Sequence, residues 1–405
     1  MKDRFSIPSL LLFYIITSTA IPLDYLLNEY PIIQSALVYS KWITFAYLFV
    51  KFINCKNLKD KSKQIYFLIS FSLIYIVYLM STLLNGGNLQ QWFSSLYCNL
   101  SHFFFFSIAL TSGSYCNNFF KWISRFYLYL TSLNLFLILA GVSFFLETNG
   151  DAKVYLYGPE NYVIYPLIIG LLYNILNDHY NIGQKKYYYI YIVEFVLTIF
   201  LIWSGTTVIG SIILLIFLYS PLKSFLTKIN FTIVFSGLVL GELFLVVLSS
   251  ISFESRIITY VVENFLGKDL TFSSRTLIWE VVLSNIAMHP ILGFGFPDTV
   301  NLFSYYDGLY ETYTSNFSTH NEYLFMLYKG GIMAMISLLL CIRKLVRHFN
   351  LYHYDKACLI YAFLVSISVL YFGEAPKMDH LFEIIFIGYL LPLSKSIHSS
   401  NVQKY

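Results

Sequence analysis

Apolar residues in this chain fall in runs of close to twenty, separated by short polar stretches. Twelve such runs stand out, at about 5–21, 31–50, 65–84, 92–111, 121–142, 162–177, 187–203, 206–222, 231–250, 321–341, 356–373 and 380–397. A helix of that length spans the ~30 Å hydrocarbon core of a bilayer, and in lipid a helix satisfies its own backbone hydrogen bonds. The first run is not followed by a small-residue cleavage site, so it reads as a retained span. The pattern predicts an all-α integral membrane protein with about 12 transmembrane helices, one polytopic domain over residues 1–405.

Two intervals between runs are long, about 143–161 and 251–320. The second is read as a large external loop inserted between spans nine and ten, with short helices of its own. Within it, "SSRTLIWEVVLSNIAMHP" predicts a helix that begins near Ser274 and stops before Pro290. Leu277, Ile278, Val281, Val282 and Ile286 recur at three- and four-residue steps, which suits a helix lying in the membrane interface with Trp279 as its anchor. The following "ILGFGF" supplies glycines for a turn.

Composition agrees with the pattern: 57% of the 405 residues are hydrophobic and only 12% charged, about half the charged share of a soluble domain. Charge placement then sets the orientation. Nineteen Lys and Arg residues fall on the side that holds both termini, against six on the other (Lys153, Arg256, Lys268, Arg275, Lys329 and Lys377). The positive-inside bias predicts cytoplasmic termini and an external 251–320 loop. The net charge of +4 therefore reflects topology, and gives no reason to expect a nucleic-acid partner. The five cysteines lie in cytoplasmic loops or spans, with no metal-ligand spacing.

Few groups on the outer side can do chemistry. Arg275 opens the loop helix, where a cation opposes the helix dipole by ~0.3–1 kcal/mol unless an anion binds there. It is either an exposed Arg held by local acids or one half of an anion site. Arg256, in "FESRIIT", either pairs with Glu254 or Glu263 or meets a lipid-borne phosphate. His320, Asn321 and Glu322 stand together at the mouth of span ten. An imidazole, titrating near pH ~6.5, can take a proton from a hydroxyl, although a lone His is often structural. Asn321 can cap the helix or bond a sugar, Glu322 is assigned to acceptor contacts or structure, and Lys329 either faces phosphate or snorkels outward. No Asp-x-Asp pair or His/Asp cluster outside the spans offers a metal site, so a metal-free, cofactor-free reaction is expected.

The stretch "SSRTLIWEVVLSNIAMHPILGFG" followed by "STHNEYLFMLYKGGI" resembles the signature of the O-antigen ligase and polymerase superfamily. The matching positions are Arg275, Trp279, Pro290, Gly293, Gly295, His320, Asn321 and Gly330. "YGPENYVIYPL" is similar to a second family segment and brings in Asn161, with Glu160 beside it. The resemblance implies a multi-span, GT-C-like glycosyltransferase acting on undecaprenyl-pyrophosphate-linked oligosaccharide at the bilayer's outer face. It implies Arg275 on the pyrophosphate and His320 at the reacting centre. Arg256, Asn321, Glu322, Asn161, Glu160, Trp279 and Lys329 would contact substrate. A flippase and a chain-length regulator are the functional partners it implies.

One position departs from the family pattern. Where the family commonly carries a second Arg after a Ser, this chain reads "WSGTTVIGS", with Thr206 and Thr207 in its place. That favours a polysaccharide polymerase over an O-antigen ligase. Two other readings compete: a transporter coupled through Glu194 and Glu242, and a more distant transferase using Asp24 or Glu29 as base.

Overall fold

The computed structural model describes residues 12–16, 31–55, 58–111, 116–142, 145–146, 153–180, 185–251, 275–296, 319–352, 356–373 and 378–394. Arg256, Asp24, Glu29, most of the first predicted span and much of the 251–320 loop lie outside the described residues. Helices α1 (Pro31–Asn54), α2 (Lys61–Leu84), α3 (Leu89–Thr111) and α4 (Cys116–Leu139) come first, and residues 12–16 form a helical turn before them. A three-stranded antiparallel sheet follows, β1 (Phe145–Leu146), β2 (Lys153–Tyr155) and β3 (Gly158–Pro159). Then come α5 (Ile164–Tyr180), α6 (Lys185–Ile202), α7 (Gly205–Tyr219), the short α8 (Lys223–Lys228) and α9 (Phe231–Ile251). The last part holds α10 (Arg275–Met288), α11 (Glu322–Tyr352), α12 (Ala357–Gly373) and α13 (Asp379–Leu390), which ends in a 3₁₀ turn over Leu391–Leu393.

Six of the described helices, α1, α2, α3, α4, α9 and α11, are long and apolar enough to cross a membrane. The chain is a multi-pass, essentially all-helical membrane protein. Helices α5, α7, α12 and α13 occupy other predicted runs but are shorter, at 17, 15, 17 and 12 residues.

The side-chain pattern is inside-out relative to a soluble protein. Ile43, Phe136, Phe200, Ile233, Leu240 and Phe244 are exposed on the outside, the apolar girdle that lipid covers. At the centre, every residue from Met378 to Ser394 is buried, so α13 is enclosed on all sides. Its Glu383 carboxylate accepts hydrogen bonds from Tyr14 at 2.8 Å and Tyr173 at 2.5 Å, and Tyr14 also pairs with Tyr127 at 2.7 Å. One buried acid thus ties the 12–16 turn, α4, α5 and α13 together, its burial compensated by these donors.

Three local departures from the sequence reading matter for the site. The described residues of the 143–161 loop form a small sheet, and Gly158 holds φ +105° where the tight turn enters β3. Its Tyr157 hydroxyl bonds Thr131 of α4 at 2.8 Å. The loop helix α10 stops at Met288, as Pro290 predicts, and its apolar side packs against other helices. Ile278, Trp279 and Val282 pack against Val246 of α9 and Leu324 and Tyr328 of α11. Trp279 is therefore an internal strut, 1% exposed, rather than an interfacial anchor.

The third departure is a break in α11. The helix runs eleven residues past the predicted end of its span, and Gly331 interrupts it at φ 57°, ψ −160°. The 290–295 turn fills that break. Phe294 N–H donates to the Tyr328 carbonyl at 2.7 Å and Gly295 N–H to that of Lys329 at 2.9 Å, while Ile332 and Met333 N–H donate to Pro290 and Ile291 at 2.9 and 3.2 Å. Backbone groups orphaned by the break are thus re-paired within the protein, the condition under which irregular chain is tolerated at membrane depth. Gly293 and Gly295 hold positive φ there, and a Cβ on Gly293 would stand 2.4 Å from the Tyr328 carbonyl oxygen.

Candidate active site at the mouth of helix α11

The site begins with a cap. Asn321 precedes the first helical residue, and its Oδ1 accepts the Leu324 N–H at 2.8 Å, an N-cap bond to the third helical residue. Thr319 braces the same turn, its hydroxyl donating to the Asn321 carbonyl at 2.6 Å. Asn321 is fully buried, and its amide also reaches the Phe372 carbonyl at the end of α12, at 3.5 Å. Of the two roles weighed for Asn321, the geometry shows the helix cap, with its side chain turned into the protein.

His320 sits between these two residues at φ 48°, a left-handed conformation that costs a non-glycine residue ~1–2 kcal/mol. It is half-buried, whereas Thr319 and Asn321 on either side are fully buried. The turn therefore turns its two neighbours inward and leaves His320 half-buried, with its Nδ1 enclosed. Glu322 follows in the first turn of α11 at 2% exposure. It lies within electrostatic reach of Tyr78, Tyr323 and Tyr371, so it faces the interior.

Trp279 links this turn to α10. Its indole N–H donates to the Thr319 carbonyl at 2.7 Å, one residue from His320. Arg275 opens α10 exactly one turn before Trp279, at a spacing that shares a helix face. The indole bond thus ties α10, the helix that Arg275 opens, to the residue before His320.

Lys329 lies deeper, at the break in α11, and does not snorkel. Its ammonium stands 3.6 Å from the Phe325 ring centroid and 5.1 Å from that of Phe296, and the residue is 9% exposed. Aromatic faces stabilise a cation at such distances. Asn161 is positioned elsewhere in the outer layer: its Oδ1 accepts from the Ser204 hydroxyl, at the junction of α6 and α7. That junction is where the sequence lacks the second Arg, and Thr207 within it is buried. Glu160 stays near the small sheet. Burial raises the Tyr155 phenol above its ordinary range, and the Glu160 carboxylate adds to the shift.

The sequence reading missed a second polar cluster, buried at the start of α13. Asp379 and His380 begin α13, and His380 stacks on Tyr165 of α5 at 5.5 Å, with Tyr165 stacked in turn on Tyr371 at 5.9 Å. Asp379 accepts from the Asn99 amide at 2.8 Å, and the Tyr371 hydroxyl accepts the Leu381 N–H at 3.3 Å. Since Glu322 also faces Tyr371, the starts of α11 and α13 meet through one tyrosine. The signal was present in "KMDHLFEII", which sets polar residues ahead of an apolar run just as "THNEYLFML" does.

Among known proteins, residues 190–339 match a family model described as O-antigen ligase. The matched stretch runs from α6 into α11 and contains α10, the glycine turn and His320. No curated protein and no solved structure gives a match.

Proposed function

We propose, on the premise that this chain belongs to the O-antigen ligase and polymerase superfamily, that it is a polysaccharide polymerase with twelve membrane crossings and a GT-C-like fold. In this reading it extends glycan chains on the periplasmic side of a bacterial inner membrane. The donor is an undecaprenyl-pyrophosphate-linked glycan and the acceptor a lipid-linked repeat unit. An acceptor hydroxyl oxygen bonds to the anomeric carbon while the bond from that carbon to the lipid pyrophosphate breaks. His320 takes the hydroxyl proton. Arg275 and the free amides at the start of α10 meet the charge that builds on the leaving pyrophosphate.

The observation that carries this reading is the Trp279–Thr319 hydrogen bond, which sets the start of α10 against the His320 turn. The half-buried setting of His320 among buried neighbours supports its role as the group that meets substrate. A flippase and a chain-length regulator are the partners such a reaction needs.

A ligase is the second reading, favoured by the description of the matching family. Deleting the gene in its host separates the two. The polymerase reading expects long polysaccharide to vanish while single repeat units still reach lipid A-core. Long polymer held on undecaprenyl pyrophosphate, with none on lipid A-core, would instead establish the ligase.

A further inference from the structure

The end of the helix bundle away from His320 carries a feature that glycosyl transfer does not use. A cavity of about 720 Å³ opens there, lined among others by Lys228, Asn230, Arg343, Arg347, Phe349 and Tyr361. Arg343 and Glu322 belong to the same helix, and at 1.5 Å per residue about 30 Å separates them, roughly one bilayer core. The Lys/Arg bias assigns this end to the cytoplasm.

Among the described residues, none neutralises the cations of the cavity from within. Among the described residues, Lys228, Arg343 and Arg347 make no ion pair, and no Asp or Glu lines the cavity. Neighbouring cations are used differently: Lys344 donates to the Tyr66 carbonyl at 3.3 Å and to the Ser70 hydroxyl, and Lys63 is held by Asp60 and Tyr352. Arg343 and Arg347 are four residues apart and share a face of α11. Asn230, which caps α9 by accepting the Thr232 N–H at 3.1 Å, and Ala357, the first residue of α12, both line the cavity. Two helix N-termini therefore add their positive ends to three cations. Ile233, Val346 and Phe349 supply apolar wall beside this charge.

We propose that this cavity binds a phosphate group, carried by an anionic phospholipid. Two guanidinium forks and a lysine match phosphate oxygens, and the apolar wall matches the glycerol and upper acyl chain that a free phosphate lacks. Basic pockets between membrane helices bind lipid headgroups on the same principle.

The test is native mass spectrometry of the full chain in detergent, titrated with phosphatidylglycerol, with phosphatidylcholine and with inorganic phosphate. The parent should retain phosphatidylglycerol in preference to phosphatidylcholine, and excess inorganic phosphate should not displace it. Each of Arg343→Gln and Arg347→Gln should weaken retention about fivefold. Lys186→Gln, which removes an exposed charge outside the cavity, should leave it unchanged. Should the double Gln variant not elute as the parent does, Arg343→Lys with Arg347→Lys keeps the charges and should preserve lipid selectivity. Equal retention by parent and Gln variants, or an equal loss in Lys186→Gln, overturns the proposal. Displacement by inorganic phosphate alone overturns the lipid as the carrier.

Discussion

At the scale of single residues, the His320 turn separates two jobs that its sequence runs together. Asn321 and Thr319 hold the start of α11, and His320 is the member left half-buried. His320→Ala should abolish long-chain polysaccharide on a gel while lipid-linked single units accumulate. His320→Gln keeps hydrogen bonding but cannot take up a proton as a base, so it should be as inactive as the Ala variant. A near-normal ladder from the Gln variant would reduce His320 to positioning. Asn321→Ala removes a cap and leaves its partners buried, which should cost about 1–2 kcal/mol of stability, read as a lowered thermal midpoint in detergent. For Arg275, replacement by Lys keeps the charge but loses the fork and should remove most polymer synthesis, and Arg275→Glu should abolish it at normal membrane expression. Full synthesis by the Lys variant would leave Arg275 only a general electrostatic part.

At the scale of elements, the unit that matters is a turn plugged into a broken helix. Because the four hydrogen bonds between the 290–295 turn and α11 replace helix bonds lost at Gly331, the two segments stand or fall together. Gly293→Ala would combine a positive φ with a 2.4 Å contact to the Tyr328 carbonyl, and Gly331→Ala would set a Cβ 2.3 Å from that of Ile291. Both should lower folded yield sharply. Gly237→Ala and Gly241→Ala in α9 meet no atom within 4 Å, and should be neutral or stabilising by up to ~1 kcal/mol. A thermal-shift series over the four variants checks this, and equal behaviour would refute the plug. On the opposite face, Asp60 joins the α1–α2 turn to the end of α11 by accepting from the Tyr352 hydroxyl at 2.7 Å. That hydrogen bond, and secondarily nearby lysines, hold its carboxyl below the usual carboxylate range. A lowered pKa stabilises the fold above the ordinary range and is lost as pH falls through the lowered value. The thermal midpoint of the parent should therefore exceed that of Asp60→Asn at neutral pH, and the gap should close in acid.

At the scale of the whole molecule, the orientation inferred from Lys and Arg placement has a direct check. In a background with the native cysteines replaced, an impermeant maleimide applied to intact spheroplasts should label Lys59→Cys only after lysis and Ser304→Cys before it. The reverse would invert the molecule and with it the assignment of the phosphate cavity to the cytoplasm. The sequence by itself determined that the chain is helical and membrane-embedded, because a run of apolar residues near twenty long has one stable form in lipid. It also determined where α10 stops, since Pro290 cannot continue a helix, and it singled out the polar trio at 320–322 because polarity at a span mouth is conspicuous in one dimension. Only the tertiary structure decided how each of the three is placed. Burial of Asn321 and Glu322, and the indole bond from Trp279, depend on α9, α11 and α12 meeting, and no local spacing encodes that. The break in α11 was hidden for the same reason: "YKGGIM" reads as an ordinary apolar helix until a turn from forty residues earlier arrives to satisfy its backbone. The buried polar cluster at Asp379 and His380 became visible only when Tyr371 brought it against Glu322.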